Sequence, residues 1–187
     1  MFYHNIHYEV YVKHYVVLHM HDYNLQIYEL ADVAAILGLQ KSRVKNWTIG
    51  RPFSVRPSVR ASFGKGSRNL FSRNDVFSFA LVKALNERGA PVDAIQKMLE
   101  RFAGDLPNDA LWKGRTWLVL KRANRDVSCD LFEPEDMGYI NLRIEAEDEI
   151  VCSYMVNLAS IVDAVSEKIN ALNRQQRKSA GVGDKRT

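Results

Sequence analysis

The chain has 187 residues, 47% of them hydrophobic, and a formal net charge of +4 from 26 Lys and Arg against 22 Asp and Glu. That length allows one ordinary domain or two small ones, and the apolar share is enough for a packed core and too high for a disordered chain. Two cysteines exclude a disulfide framework, no apolar run approaches the roughly 18 residues of a membrane span, and a reducing cytoplasm is the expected compartment.

Residues 1–24 stand apart as a leader of doubtful structure. All five histidines (His4, His7, His14, His19, His21) fall here, together with Tyr3, Tyr8, Tyr11, Tyr15 and Tyr23. A His-rich tract raises a metal reading. No carboxylate or cysteine sits at ligand spacing, however, and residues 10–12 and 15–18 read as short extended stretches, so no metal and no cofactor is expected. Met20 is an alternative start, which an intact mass of natively expressed protein would test.

From Gln26 the pattern becomes helical. Leu30, Val33, Ala34 and Leu37 recur at helical spacing, and Gly38 stands where a left-handed residue closes a helix. A second helix is predicted over 41–47, with Val44 and Trp47 docking on the first and Lys41, Ser42, Arg43, Lys45 and Asn46 pointing outward. Such side chains suit a major groove, where Arg pairs with guanine and Asn with adenine. They also suit the solvent face of an ordinary helical hairpin, a common motif.

Gly50, Pro52, Pro57, Gly64 and Gly66 then break the chain into short strand candidates at 54–56, 59–61 and 69–71 around a Gly64-Lys65-Gly66 tip. A basic hairpin tip beside such a helix has the shape of a wing, with Arg60, Lys65 and Arg68 reaching phosphates. Gly64-Lys65-Gly66-Ser67 lacks the spacing of a phosphate loop, so nucleotide binding is discarded. Ser72 opens a third helix, with Asp75 three residues on and Val76, Phe79, Ala80 and Ala84 on its inner side. Gly89 ends it, and a fourth helix over 92–103 presents Ile95, Met98, Leu99 and Phe102.

Charge singles out one part of this run. From Val33 to Asn74 there is no Asp or Glu, while Lys41, Arg43, Lys45, Arg51, Arg56, Arg60, Lys65, Arg68 and Arg73 all fall inside it. A surface cleared of acids suits a polyanion. From Asp126 to Glu149 the balance reverses, with nine acids and the single base Arg143. That part would repel DNA.

Tyr28-Glu29-Leu30-Ala31-Asp32-Val33-Ala34 followed by Gly38-Leu39 resembles the opening helix and turn of the MerR-family winged helix–turn–helix domain. Phe71-Ser72-Arg73-Asn74-Asp75-Val76 and the run from Leu85 to Ile95 resemble that family's third and fourth helices. The resemblance covers residues 26–103 and implies DNA binding through the second helix, a wing carrying an arginine, and a homodimer on a palindromic operator. Two features depart from it: the connection from Trp47 to Arg68 is longer than the usual wing, and the family's Arg, one residue, Tyr ending becomes Arg68-Asn69-Leu70-Phe71. Val44-Lys45-Asn46-Trp47 is also similar to the short helices ending in Trp of some antitoxin-associated MerR-like regulators.

A second unit is expected over 110–173. Strands are predicted at 116–122, 127–132 and 139–145, alternating as a half-buried antiparallel sheet would, with Cys129 and Cys152 as plain packing. Val151, Met155, Leu158, Val162, Val165, Ile169 and Leu172 repeat with spacing 4,3,4,3,4,3. Such a seam either supercoils with a second copy, the reading preferred here because paired half-sites need two reading heads, or lies along the sheet. Residues 174–187 read as a basic disordered tail.

The fold class is therefore α+β: a MerR-like winged helix–turn–helix domain, a small antiparallel sheet and a long C-terminal helix. The function expected is that of a dimeric, DNA-binding transcriptional regulator whose partner is double-stranded DNA. The alternative is a protein-interaction module, antitoxin-like or an adaptor, whose C-terminal half binds a protein partner. No catalytic role is expected, since no histidine follows His21 and the carboxylates of 126–149 show no acid/base or metal spacing.

Overall fold

The structure, a computed structural model, describes residues 26–62, 67–102, 117–123, 126–133, 135 and 150–179. The histidine-rich leader, the Gly64-Lys65-Gly66 tip, the strand predicted at 139–145 and residues 180–187 lie outside the described residues.

β1 (Tyr28–Glu29) leads into α1 (Leu30–Leu37), followed by α2 (Lys41–Thr48). Gly38 takes φ +62°, a conformation that costs glycine nothing, and the reversed chain donates from Leu39 N to Ala34 O at 2.9 Å. β2 (Leu70–Phe71) pairs antiparallel with β1, Tyr28 opposite Phe71, and opens α3 (Arg73–Glu87). At the start of α3 Ser72 and Asp75 cap each other reciprocally: Ser72 Oγ accepts from Asp75 N at 3.2 Å, and Asp75 Oδ2 accepts from Ser72 N at 2.8 Å. α4 (Val92–Phe102) follows the turn at Gly89, φ +77°.

The remainder is a three-stranded antiparallel sheet and one helix. β3 (Trp117–Ala123) is the central strand between β4 (Asp126–Phe132) and β5 (Ile150–Asn157). α5 (Leu158–Ser179) closes the fold. Leu118, Leu120, Cys129 and Val156 join the same buried cluster as Val33, Trp47, Phe79, Leu85, Ile95 and Met98, so the sheet and the helical part share one core. Tyr154 Oη donates to Gly89 O at 3.0 Å, and Arg101 pairs with Asp130 at 3.4 Å, both across the same seam.

Four expectations need correction. Val151 and Met155 are in β5, not in a helix: Met155 lies opposite Val119, and the helix begins only at Leu158, where Asn157 Oδ1 accepts from Ser160 N at 3.1 Å. A step of four keeps two residues on one face of a strand as well as of a helix, so the repeat continued through the wrong element. The remaining seam folds back within the chain. Leu158, Val165 and Ile169 are buried, and Val162 and Leu172 pack on the same core, so the stripe is spent on α1, α3 and β3 of its own chain.

α5 also runs to Ser179, through residues 174–179 that were expected to open a disordered tail. Finally, residues 54–56 form no strand. Phe53 and Val55 are buried beneath α2, and Val55 N donates to Trp47 O at 2.9 Å, so this stretch seals the end of α2.

Candidate nucleic-acid interface

α2 is held by two side chains. Val44 and Trp47 are buried, and the Trp47 ring meets Phe53 edge-on at 5.5 Å and stacks over Phe79 at 6.5 Å. Anchored on that side, the helix leaves Lys41, Ser42, Arg43, Lys45 and Asn46 exposed, as its spacing predicts. Thr48 Oγ1 returns a bond to Val44 O at 2.9 Å and closes the last turn.

The loop after α2 brings further bases to the surface. Arg51, Arg56 and Arg60 are exposed. Arg60 and Leu70 exchange backbone bonds of 3.2 and 2.9 Å, and Ser62 N donates to Asn69 Oδ1 at 2.7 Å. Residues 60–62 and 69–70 therefore run antiparallel as a short arm whose predicted tip, with Lys65, lies outside the described residues. The loop is tied down at Ser58: its backbone N is 2.9 Å and its Oγ 2.8 Å from Asp75 Oδ2, and the same Oγ lies 2.8 Å from Ser72 Oγ. The buried cap of α3 is thus also the anchor of the loop, a role of Asp75 that its capping spacing does not announce.

Two of the basic residues behave differently from the rest. Arg68 Nη1 pairs with Glu29 Oε1 at 2.7 Å, both side chains largely in water, so a wing residue has an acidic neighbour from β1. Arg73 leaves the surface altogether. It is buried, its guanidinium lies 5.5 Å from the Phe77 ring centroid, and its Nη2 donates to Ser166 Oγ on α5 at 2.7 Å. Arg51 and Arg56 replace it as exposed bases of the face, and the acid-free character of the stretch was the signal for them.

Two ionisable groups outside this face are perturbed by burial. Burial pushes the Tyr28 hydroxyl up, opposed by the Arg73 cation and a hydrogen bond with Asn173. Burial likewise pushes the Cys129 thiol up to about 12, against the lowering effect of Arg101, which suits an inert packing cysteine. Among the described residues no group of three or more His, Cys, Asp and Glu stands together as a metal cage. Among them, too, no helix is long and apolar enough to cross a membrane.

Two short helices joined by a left-handed glycine, the second exposing a basic polar face, define a helix–turn–helix domain. Residues 28–101 match the model of the MerR HTH family of regulatory proteins. Over those residues the chain is similar to that family's helix–turn–helix domain. No curated protein matches the chain.

Proposed function

We propose that the protein is a transcriptional regulator that reads an operator in duplex DNA with α2. Arg43 and Asn46 meet base edges in the major groove, while Lys41, Ser42 and Lys45 hold the adjacent backbone. The arm of residues 60–69 acts as the wing, with Arg60, Lys65 and Arg68 on phosphates. Paired half-sites call for two copies, and pairing then uses a surface other than the 158–172 stripe. A protein partner for the domain would not require a face cleared of acids, which is why DNA is preferred.

The observation that carries this reading is the outward face of α2. Burial of Val44 and Trp47 fixes which residues face solvent, and they are basic or amide-bearing within a stretch holding no acid. The test is a salt-titrated binding assay on duplexes from the region upstream of the protein's own coding sequence, for wild type and Arg43→Ala. Saturable, sequence-dependent binding should weaken steeply with salt, and Arg43→Ala should lose ~1–3 kcal/mol of discrimination. Equal binding to every fragment, unchanged by Arg43→Ala, would refute the assignment of α2.

A further inference from the structure

We infer that the C-terminal end of α5 belongs to the DNA interface, with Arg174 and Lys178 binding backbone phosphates beside the first turn of α1. The inference rests on the DNA-binding reading above and adds to it an element outside the helix–turn–helix domain.

The path of α5 is pinned at two points along its length. Arg73 at the start of α3 donates to Ser166 Oγ at 2.7 Å, and Gln176 Nε2 donates to Asp32 Oδ1 at 3.3 Å. The helix therefore passes the start of α3 and then the start of α1. The last two turns end beside the opening of the helix–turn–helix. When the second helix of such a motif lies in the major groove, its first helix crosses the DNA backbone, so this is where phosphates pass.

Charge along α5 is polarised to match. Its two acids, Asp163 and Glu167, lie in its first half, and after Glu167 it carries Lys168, Arg174, Arg177 and Lys178 with no acid. Arg174 and Lys178 are exposed and four residues apart, hence on one face. Gln176, between them, reaches Asp32, which closes one end of the acid-free stretch, the other end being closed by the buried Asp75. There Glu29 pairs with Arg68 at 2.7 Å. Both acids are engaged, Glu29 with Arg68 and Asp32 with Glu29 N and Gln176, and the end of α5 supplies the positive charge that the edge otherwise lacks.

A competing account is that cations at a helix C-terminus merely complement its dipole. That role stabilises the fold and leaves DNA binding unchanged, so the two accounts separate in one experiment. Full-length wild type, Arg43→Ala and the double variant Arg174→Ala/Lys178→Ala are titrated with the upstream duplex and a scrambled duplex from about 50 to about 300 mM salt. Loss of two phosphate contacts should lower the salt slope by ~1.8 and weaken binding about tenfold at 0.1 M salt. The ratio between specific and scrambled duplex should stay as in wild type, whereas Arg43→Ala should collapse it.

A double variant that melts earlier but binds with wild-type slope and affinity overturns the inference and leaves α2 as the reader. Absence of salt-dependent binding by wild type itself removes the DNA reading and the inference together.

Discussion

Asp75 joins three jobs in one buried carboxylate, which makes its removal informative. Asp75→Ala deletes the acceptor of Ser72 N, of Ser58 N and of Ser58 Oγ. Ser72 N is buried and keeps no replacement, which costs ~1–3 kcal/mol, while the Ser58 groups lie in an exposed loop and find water, adding about 1 kcal/mol. The sum, about 2–4 kcal/mol, corresponds to a melting temperature lower by about 5–10 °C in a chain of this size. DNA binding supplies the sharper test because the signs oppose. Removing a negative charge should tighten binding to a polyanion, whereas releasing the loop that carries Arg56 and Arg60 should weaken it. We expect weaker binding by roughly threefold to tenfold, about 1 kcal/mol, as preorganisation is lost. Circular dichroism melts and the salt-titrated assay read both effects. A melting temperature within about 2 °C of wild type, or tighter binding, would refute the anchoring role.

Ile169→Ala should destabilise the chain by ~2–5 kcal/mol, and because the lost contacts are intrachain the drop in melting temperature relative to wild type should be the same at low and high protein concentration; a drop that changes with concentration would restore the interchain seam. Glu29→Gln removes an exposed ion pair worth under about 1 kcal/mol and frees Arg68, so stability should hold while DNA affinity rises severalfold at low salt and the gain fades as salt screens it; unchanged affinity would take Arg68 off the interface. Cys129 should resist alkylation in the native chain at neutral pH and react on unfolding, read by peptide mass mapping. Its folded thiol is pushed from 9.0 to about 12, so above pH 9 the unfolded chain ionises first and stability falls as pH rises through that window. Prompt native labelling would contradict its burial.

Local signals were legible in the sequence and distant ones were not. Gly38, the Ser72 and Asp75 cap, and the pairing of Val44 with Trp47 are each decided within four residues, and the structure holds them where spacing predicts. The partner of Arg68 stands 39 residues away in β1, and nothing in its own neighbourhood points to it. Arg73 illustrates the same limit in the other direction. A base at the edge of a basic run reads as surface, yet a ring at 5.5 Å and a hydroxyl from a helix 93 residues on make its burial tolerable.

The C-terminal helix shows why pattern alone misplaces a partner. A stripe of Leu158, Val162, Val165, Ile169 and Leu172 records that one face is buried and says nothing about what buries it, a second copy or the chain's own domain. What decides the matter here is polar and specific. Ser166 meets Arg73 of α3 and Gln176 meets Asp32 of α1, two different elements of the helix–turn–helix domain. Apolar burial would tolerate a helix slid by a turn, whereas the buried Arg73 guanidinium would then lose Ser166, and Asp32 would lose Gln176. The polar contacts therefore set the register, the apolar stripe provides the stability, and the register is what carries Arg174 and Lys178 to the edge of α1.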